Sequence, residues 1–277
     1  MNYKIIADSC CDLTAGMKKE MGVVSIPLTM TLGNKEFCDD EHLDVNGFLD
    51  EMKTFTGKPH SAAPPPFLYQ EAIETAGDSF VVTLSNKLSG SYSNAVLGNS
   101  TAIENSNSRA HVFDSKSAVA GETLITIKLH ELIKNGISKE KIIETMNSFI
   151  DNMKTYFVLE NYDNLQKNGR LSKIKGSLIH FLNIKLIMGA DGNGEIALFE
   201  KCRSAKHMIE QLISYIDRSG KDTQNENLVI SHCNNHPLAE HLSTLIKKRF
   251  HFKKIYIVPT GGLSSMYADN KGIIMAF

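Results

Sequence analysis

Apolar residues fall in short blocks separated by polar turns along most of the chain. Residues 3–7 form the first strand candidate and run into the polar segment Asp8-Ser9-Cys10-Cys11-Asp12-Leu13. Thr14 is placed to cap a short helix that stops before Gly22. Residues 23–32 read as one strand, and the Gly33-Asn34 turn leads back through Lys35-Glu36-Phe37 as a hairpin. Val45, Phe48, Leu49 and Met52 then recur at helical spacing.

The next segment changes character. Residues 56–66 hold four of the seven prolines, which fix φ and remove donors, so an ordered, extended loop is expected there. Beyond it, strands at 79–84 and 110–113 alternate with helices at 67–76, 93–102, 119–134 and 139–152. This rhythm predicts a parallel sheet covered by helices. A boundary near residue 155 divides the chain into domains 1–154 and 155–277. In the second, strands are expected at 155–159, 227–231 and 254–258. Helices are expected at 162–167, 177–182, 205–217 and 237–248. Residues 184–188 and 195–199 flank a glycine-rich turn and form a hairpin, and the apolar tail 273–277 is a strand held in a sheet.

Composition narrows the function. The formal net charge is -1, which argues against the broad basic field of a non-specific nucleic-acid binder. No apolar run approaches the roughly 20 residues that span a bilayer, and the polar start is unlike a secretory leader. Five cysteines, two of them adjacent, make no disulfide framework, so a cytoplasmic protein is expected.

Three strand ends carry small hydroxyl or acidic residues: Asp8-Ser9, Ser85 and Asp114-Ser115. In open α/β sheets the carboxyl ends of strands border the ligand crevice. Ser89, Gly90 and Ser91 sit where a helix begins, where hydroxyls and free backbone donors suit a carboxylate or phosphate; plain helix capping explains them equally. Ser61, beside His60, can supply a second wall or belong to an ordinary surface loop. Arg170 can reach an anion or a partner protein, or lie in a solvated basic loop. His232, Cys233, His236 and His241 fit no strong metal signature, and no G-x-S-x-G elbow supports a serine nucleophile.

Five segments in order resemble the DegV family. Ile5-Ile6-Ala7-Asp8-Ser9 with Asp12-Leu13 resembles its D-S-x-x-D-L motif. Residues 84–92 resemble L-S-S-x-L-S-G-T-Y, and residues 112–117 resemble V-x-D-S-x-S. Gly169-Arg170-Leu171-Ser172-Lys173 resembles G-R-I-S-K, and Leu182-Asn183-Ile184-Lys185 resembles the start of L-N-I-K-P. The resemblance implies a two-domain α/β fold, with a parallel-sheet N-terminal domain and a smaller, mixed-sheet C-terminal one. It implies a bacterial protein that encloses one long-chain fatty acid. Such a protein presents the carboxylate to a separate ATP-dependent fatty acid kinase, which makes acyl phosphate for phospholipid synthesis. It would be non-catalytic, bind no cofactor or metal, and touch membrane surfaces at most transiently. The alternative is an enzyme or regulatory module holding another small anion in the same interdomain crevice.

The ligand-binding residues carried over by resemblance are Ser61, Ser89, Gly90 and Arg170. Two departures stand out. His60 replaces a threonine in the family's T-S-Q-P-S-P loop, and Tyr267 falls where an H-T-G-P-G motif has its histidine. Tyr267 is taken as a further ligand-binding residue, since a phenol donates one hydrogen bond although it carries no positive charge. A core or interface tyrosine is the competing reading.

Overall fold

The computed structural model describes residues 3–171, 174 and 184–277. Four parallel strands form the first sheet, in the order β2-β1-β6-β7: β1 (Lys4–Asp8), β2 (Val23–Ile26), β6 (Ser79–Thr83) and β7 (Ala110–Asp114). Helix α1 (Ala15–Met21) links β1 to β2, and α4 (Ser91–Ser106) links β6 to β7. Thr14 caps α1 by accepting from Met17 N at 3.2 Å, as its position in the sequence implies. Helix α3 (Pro66–Ala76) lies so close to α4 that a Cβ at Gly98 would meet the Pro66 carbonyl at 2.4 Å. Glycine is needed at that crossing.

The expected strand at 23–32 is two strands in two sheets. Pro27 has no N–H for a ladder, and the chain leaves the parallel sheet there. β3 (Thr29–Leu32) instead pairs with β4 (Lys35–Cys38) across the expected two-residue turn, where Gly33 takes φ 63°. The proline-rich loop is extended, and it contains a short strand, β5 (His60–Ala62), that pairs with the other edge of β3. Helix α2 (Val45–Thr54) buries Phe48, Leu49 and Met52, three of the four periodic positions.

The second sheet is mixed and has six strands, in the order β10-β9-β8-β13-β11-β12. These are β8 (Thr155–Val158), β9 (Lys185–Ala190), β10 (Ile196–Cys202), β11 (Asn227–His232), β12 (Lys254–Pro259) and β13 (Ile273–Ala276). β9 and β10 form the expected hairpin, and the C-terminal β13 lies inside the sheet between β8 and β11. Helices α8 (Ala205–Ser219) and α9 (His236–Lys247) cover one face of this sheet. Helix α5 (Ala120–Lys134) packs against strands of both sheets, and residues 120–127 are buried throughout. Helix α6 (Lys139–Asn152) lies against α5, and α7 (Asp163–Lys167) follows β8. The pattern missed α10 (Gly262–Ala268), a seven-residue helix rich in glycine and serine. The expected helix at 177–182 lies outside the described residues. The architecture is therefore a two-domain α/β fold with an N-terminal parallel sheet and a C-terminal mixed sheet.

Candidate functional site

A cavity of about 280 Å3 lies between the two sheets. One side is built from loops at the carboxyl ends of β6 and β7, where Leu84, Leu88, Ala118 and Val119 face it. The other side is the surface of the second sheet, through Thr155, Phe157, Leu159 and Ile274. This is the crevice position expected of an open parallel sheet. Val119 reaches the wall from a strained backbone, with φ 58°. For a β-branched residue that conformation is a strong outlier, of the order of 1–3 kcal/mol.

Ser61, Ser89, Gly90, Arg170 and Tyr267 all line this one cavity, though they come from four separate stretches of the chain. Ser61 lies on β5 and Tyr267 on α10, and their hydroxyls are 2.9 Å apart. That bond joins the two domains at the cavity wall. Ser89 closes the turn before α4: its backbone N–H donates to Ser85 O at 3.1 Å, and its Oγ accepts from Ser91 N at 3.2 Å. The Ser89 hydroxyl hydrogen is thus left to donate to an anion. Arg170 is steered by its own donors, Nε to Leu88 O at 3.2 Å and Nη1 to Asn168 O. Its guanidinium lies 5.9 Å from the Tyr267 ring centre, within cation–π reach.

Other polar residues singled out from the sequence hold the scaffold instead. Ser91 is buried and bonds Asp8 Oδ2 at 2.5 Å and Tyr69 Oη at 2.6 Å, so it is not a ligand group. Asp8 also accepts from Cys10 N at 3.1 Å and Leu84 N at 3.0 Å. Burial pushes the Asp8 carboxyl up to about 6, against the pull of these bonds. Ser115 donates to Ser117 O at 3.0 Å and accepts from Ser117 N at 3.1 Å, closing the turn after β7. Ser85 donates to Gly194 O at 2.7 Å, which ties the β9–β10 turn to the first domain beside the cavity. Gly194 takes φ 91°, and a Cβ there would meet Ser85 Oγ at 2.3 Å. Cys10 lines the cavity, whereas the Cys11 thiol turns away and donates to Thr126 Oγ1 at 3.3 Å.

Sequence reasoning missed the support beneath Tyr267. Asp39 Oδ1 accepts from Gly262 N at 2.7 Å, and Oδ2 accepts from Leu263 N at 3.0 Å and Ser9 Oγ at 2.7 Å. Asp12 Oδ1 accepts from Gly261 N at 2.8 Å. Both carboxyls are buried, and burial raises both, Asp12 to about 8. Asp12 belongs to the stretch that resembles D-S-x-x-D-L, whereas Asp39 has no local signal beyond its place after a strand.

The cavity is mostly apolar, and among the described residues hydroxyls, Arg170, Lys116 and Glu195 also border it, a lining suited to an amphipathic ligand. A DegV family profile matches residues 2–275, and the chain belongs to the DegV family. A DegV domain-containing protein of Streptococcus pneumoniae is 34% identical over 280 residues, covering 100% of this chain and 99% of the relative. Among solved structures, a DegV family protein from Ruminococcus gnavus, refined with vaccenic acid, is 37% identical with a TM-score of 0.94, covering 100% of both chains. The Streptococcus pneumoniae fatty acid kinase B3 protein, loaded with linoleic acid, is 34% identical with a TM-score of 0.91, covering 100% of this chain and 99% of that one.

Proposed function

We propose that this protein holds one long-chain fatty acid in the interdomain cavity and presents its carboxylate to a separate ATP-dependent kinase. The acyl chain lies along Leu84, Val119, Phe157 and Ile274, away from water. The carboxylate sits among Ser61, Ser89, Arg170 and Tyr267, because a desolvated anion needs donors and a counter-charge. The kinase supplies ATP and metal, and phosphoryl transfer to the carboxylate oxygen gives acyl phosphate for phospholipid synthesis. This chain performs no bond-making step. It works in the cytoplasm and exchanges ligand through transient contact with a membrane surface. The single observation behind the reading is that Ser61, Ser89, Arg170 and Tyr267 share one cavity whose lining is mostly apolar, although Lys116, Ser117, Thr155, Glu195 and Ser264 also border it. The fatty acids held by the solved relatives support it.

Ser89→Ala is expected to weaken fatty-acid binding by about 1.5–3 kcal/mol, the worth of a hydrogen bond to a charged group. Ser115→Ala, which removes a turn bond, is expected to leave binding unchanged in the folded protein. Calorimetric titration of both variants checks this; equal affinity of wild type and folded Ser89→Ala would remove Ser89 from the site.

Kinase coupling is tested through Arg170. Arg170→Ala is expected to lower acyl-phosphate formation at limiting binding protein by at least about tenfold, as a charged contact predicts. The assay pairs the purified chain with a fatty acid kinase and ATP. Unchanged turnover would take Arg170 out of presentation, and ATP hydrolysis by the chain alone would contradict the non-catalytic reading.

A further inference from the structure

Helix α10 carries Tyr267 to the cavity, yet its first turn is held by the other domain. Gly261, Gly262 and Leu263 present three backbone N–H groups at the start of this helix. Asp12, from the loop after β1, takes the first, and Asp39, after β4, takes the other two as a fork. Ser9 Oγ donates to Asp39 at 2.7 Å and accepts from Leu28 N at 3.0 Å, so the fork is braced from the first domain. The approach is close. A Cβ at Gly262 would meet Leu43 Cδ2 at 2.3 Å and Asp39 Oδ1 at 2.7 Å. At the other end of the helix, Tyr267 meets Ser61 of the first domain at 2.9 Å.

We propose that Asp39, with Asp12 beside it, is a positioning residue for the fatty-acid carboxylate: the fork sets the axial position of α10 and thereby holds the Tyr267 phenol against Ser61. This rests on reading the cavity as a fatty-acid site. A helix of 7 residues has little stability of its own, so its place is set by tertiary contacts. Four unpaired N–H groups open any helix, and here carboxylates from across the domain boundary occupy that end. A shift of α10 by a fraction of an ångström separates the two hydroxyls. Asp39 does not line the cavity, so it acts on the ligand only through the helix.

A double-mutant cycle between Asp39→Asn and Tyr267→Phe tests this, with the fluorescent polyene fatty acid parinaric acid as the probe. The amide of Asp39→Asn keeps one acceptor and turns a donor toward the second N–H, which breaks the fork while preserving volume. Asp39→Asn is expected to weaken binding at least about tenfold in the wild-type background and less than about threefold in the Tyr267→Phe background. Equal loss in both backgrounds, or no loss in folded Asp39→Asn, overturns the proposal. If Asp39→Asn does not fold, Ser9→Ala loosens the same fork and is expected to show the same non-additivity; additive losses there overturn it. The arms also separate the two ideas. Undiminished binding by Tyr267→Phe removes the phenol from the carboxylate site and the proposal with it. Weakened Tyr267→Phe with additive Asp39→Asn sinks the positioning role alone.

Discussion

Shortening the fatty acid by four methylenes is expected to weaken its binding by about 3 kcal/mol, roughly two-hundredfold. Each buried CH2 is worth about 0.8 kcal/mol, and carboxylate contacts do not change with chain length. The cavity wall supplies the apolar surface: Leu28, Leu84, Val119, Phe157, Leu159 and Ile274. Displacement titrations with a series of saturated acids, kept below their micelle concentrations, read the slope directly. An affinity that depended only on the carboxylate would place the acyl chain in water and remove the cavity from the account.

A comparably large effect concerns pH. Burial raises the Asp12 carboxyl from 3.8 to about 8, and Asp8 from 3.8 to about 6. Glu122 is also fully buried and is raised well above its ordinary value, first by burial and then by the Asp8 charge. A carboxyl raised on folding binds its proton more tightly in the native state. Its stabilising contribution is therefore complete below about pH 3.8 and is lost as pH rises toward its folded value. Asp12→Asn keeps an acceptor for Gly261 N and cannot ionise. Wild type and Asp12→Asn are expected to have similar stability near pH 4. By about pH 8 the variant is expected to be more stable by several kcal/mol, of the order of 5 from the size of the shift. Lys221, lowered to about 8, acts in the opposite sense, but it is common to both proteins and cancels in the difference. Urea unfolding across this range measures it. A constant difference would mean that Asp12 is ionised in the native protein throughout.

Much of the fold was legible because its elements announce themselves locally. The helical spacing of Val45, Phe48, Leu49 and Met52 and the apolar tail at 273–277 each correspond to an observed element. The misreadings have physical causes. A run of β-forming residues at 23–32 looks continuous, and only Pro27 betrays that it serves two sheets. The proline-rich loop masks β5, because a three-residue edge strand needs few ladder donors. Helix α10 opens on Gly261-Gly262 and holds Ser264-Ser265, poor helix formers, and the apolar spacing of Leu263, Met266 and Tyr267 covers too few turns to stand out.

The site was less legible than the fold. Local pattern shows that Leu84 or Ile274 is buried, but not whether a neighbour or a ligand buries it. Polar residues misled in the same way: Ser89 and Ser91 are two positions apart, yet one faces the cavity and the other is spent on Asp8. The fork that Asp39 makes to Gly262 and Leu263 spans more than 220 positions, with nothing at either end to announce the pairing. Residue type marked Ser61 and Arg170 as candidates, resemblance joined Tyr267 to them, and all three line the one cavity.

The central claim, that this chain carries a long-chain fatty acid, is met most directly by native mass spectrometry of the purified protein followed by denaturing extraction. The account predicts a mass increment of one long-chain fatty acid per chain, released on denaturation and identified as a free carboxylic acid. Repeated preparations without such a ligand, together with no saturable binding of added fatty acid, would contradict it.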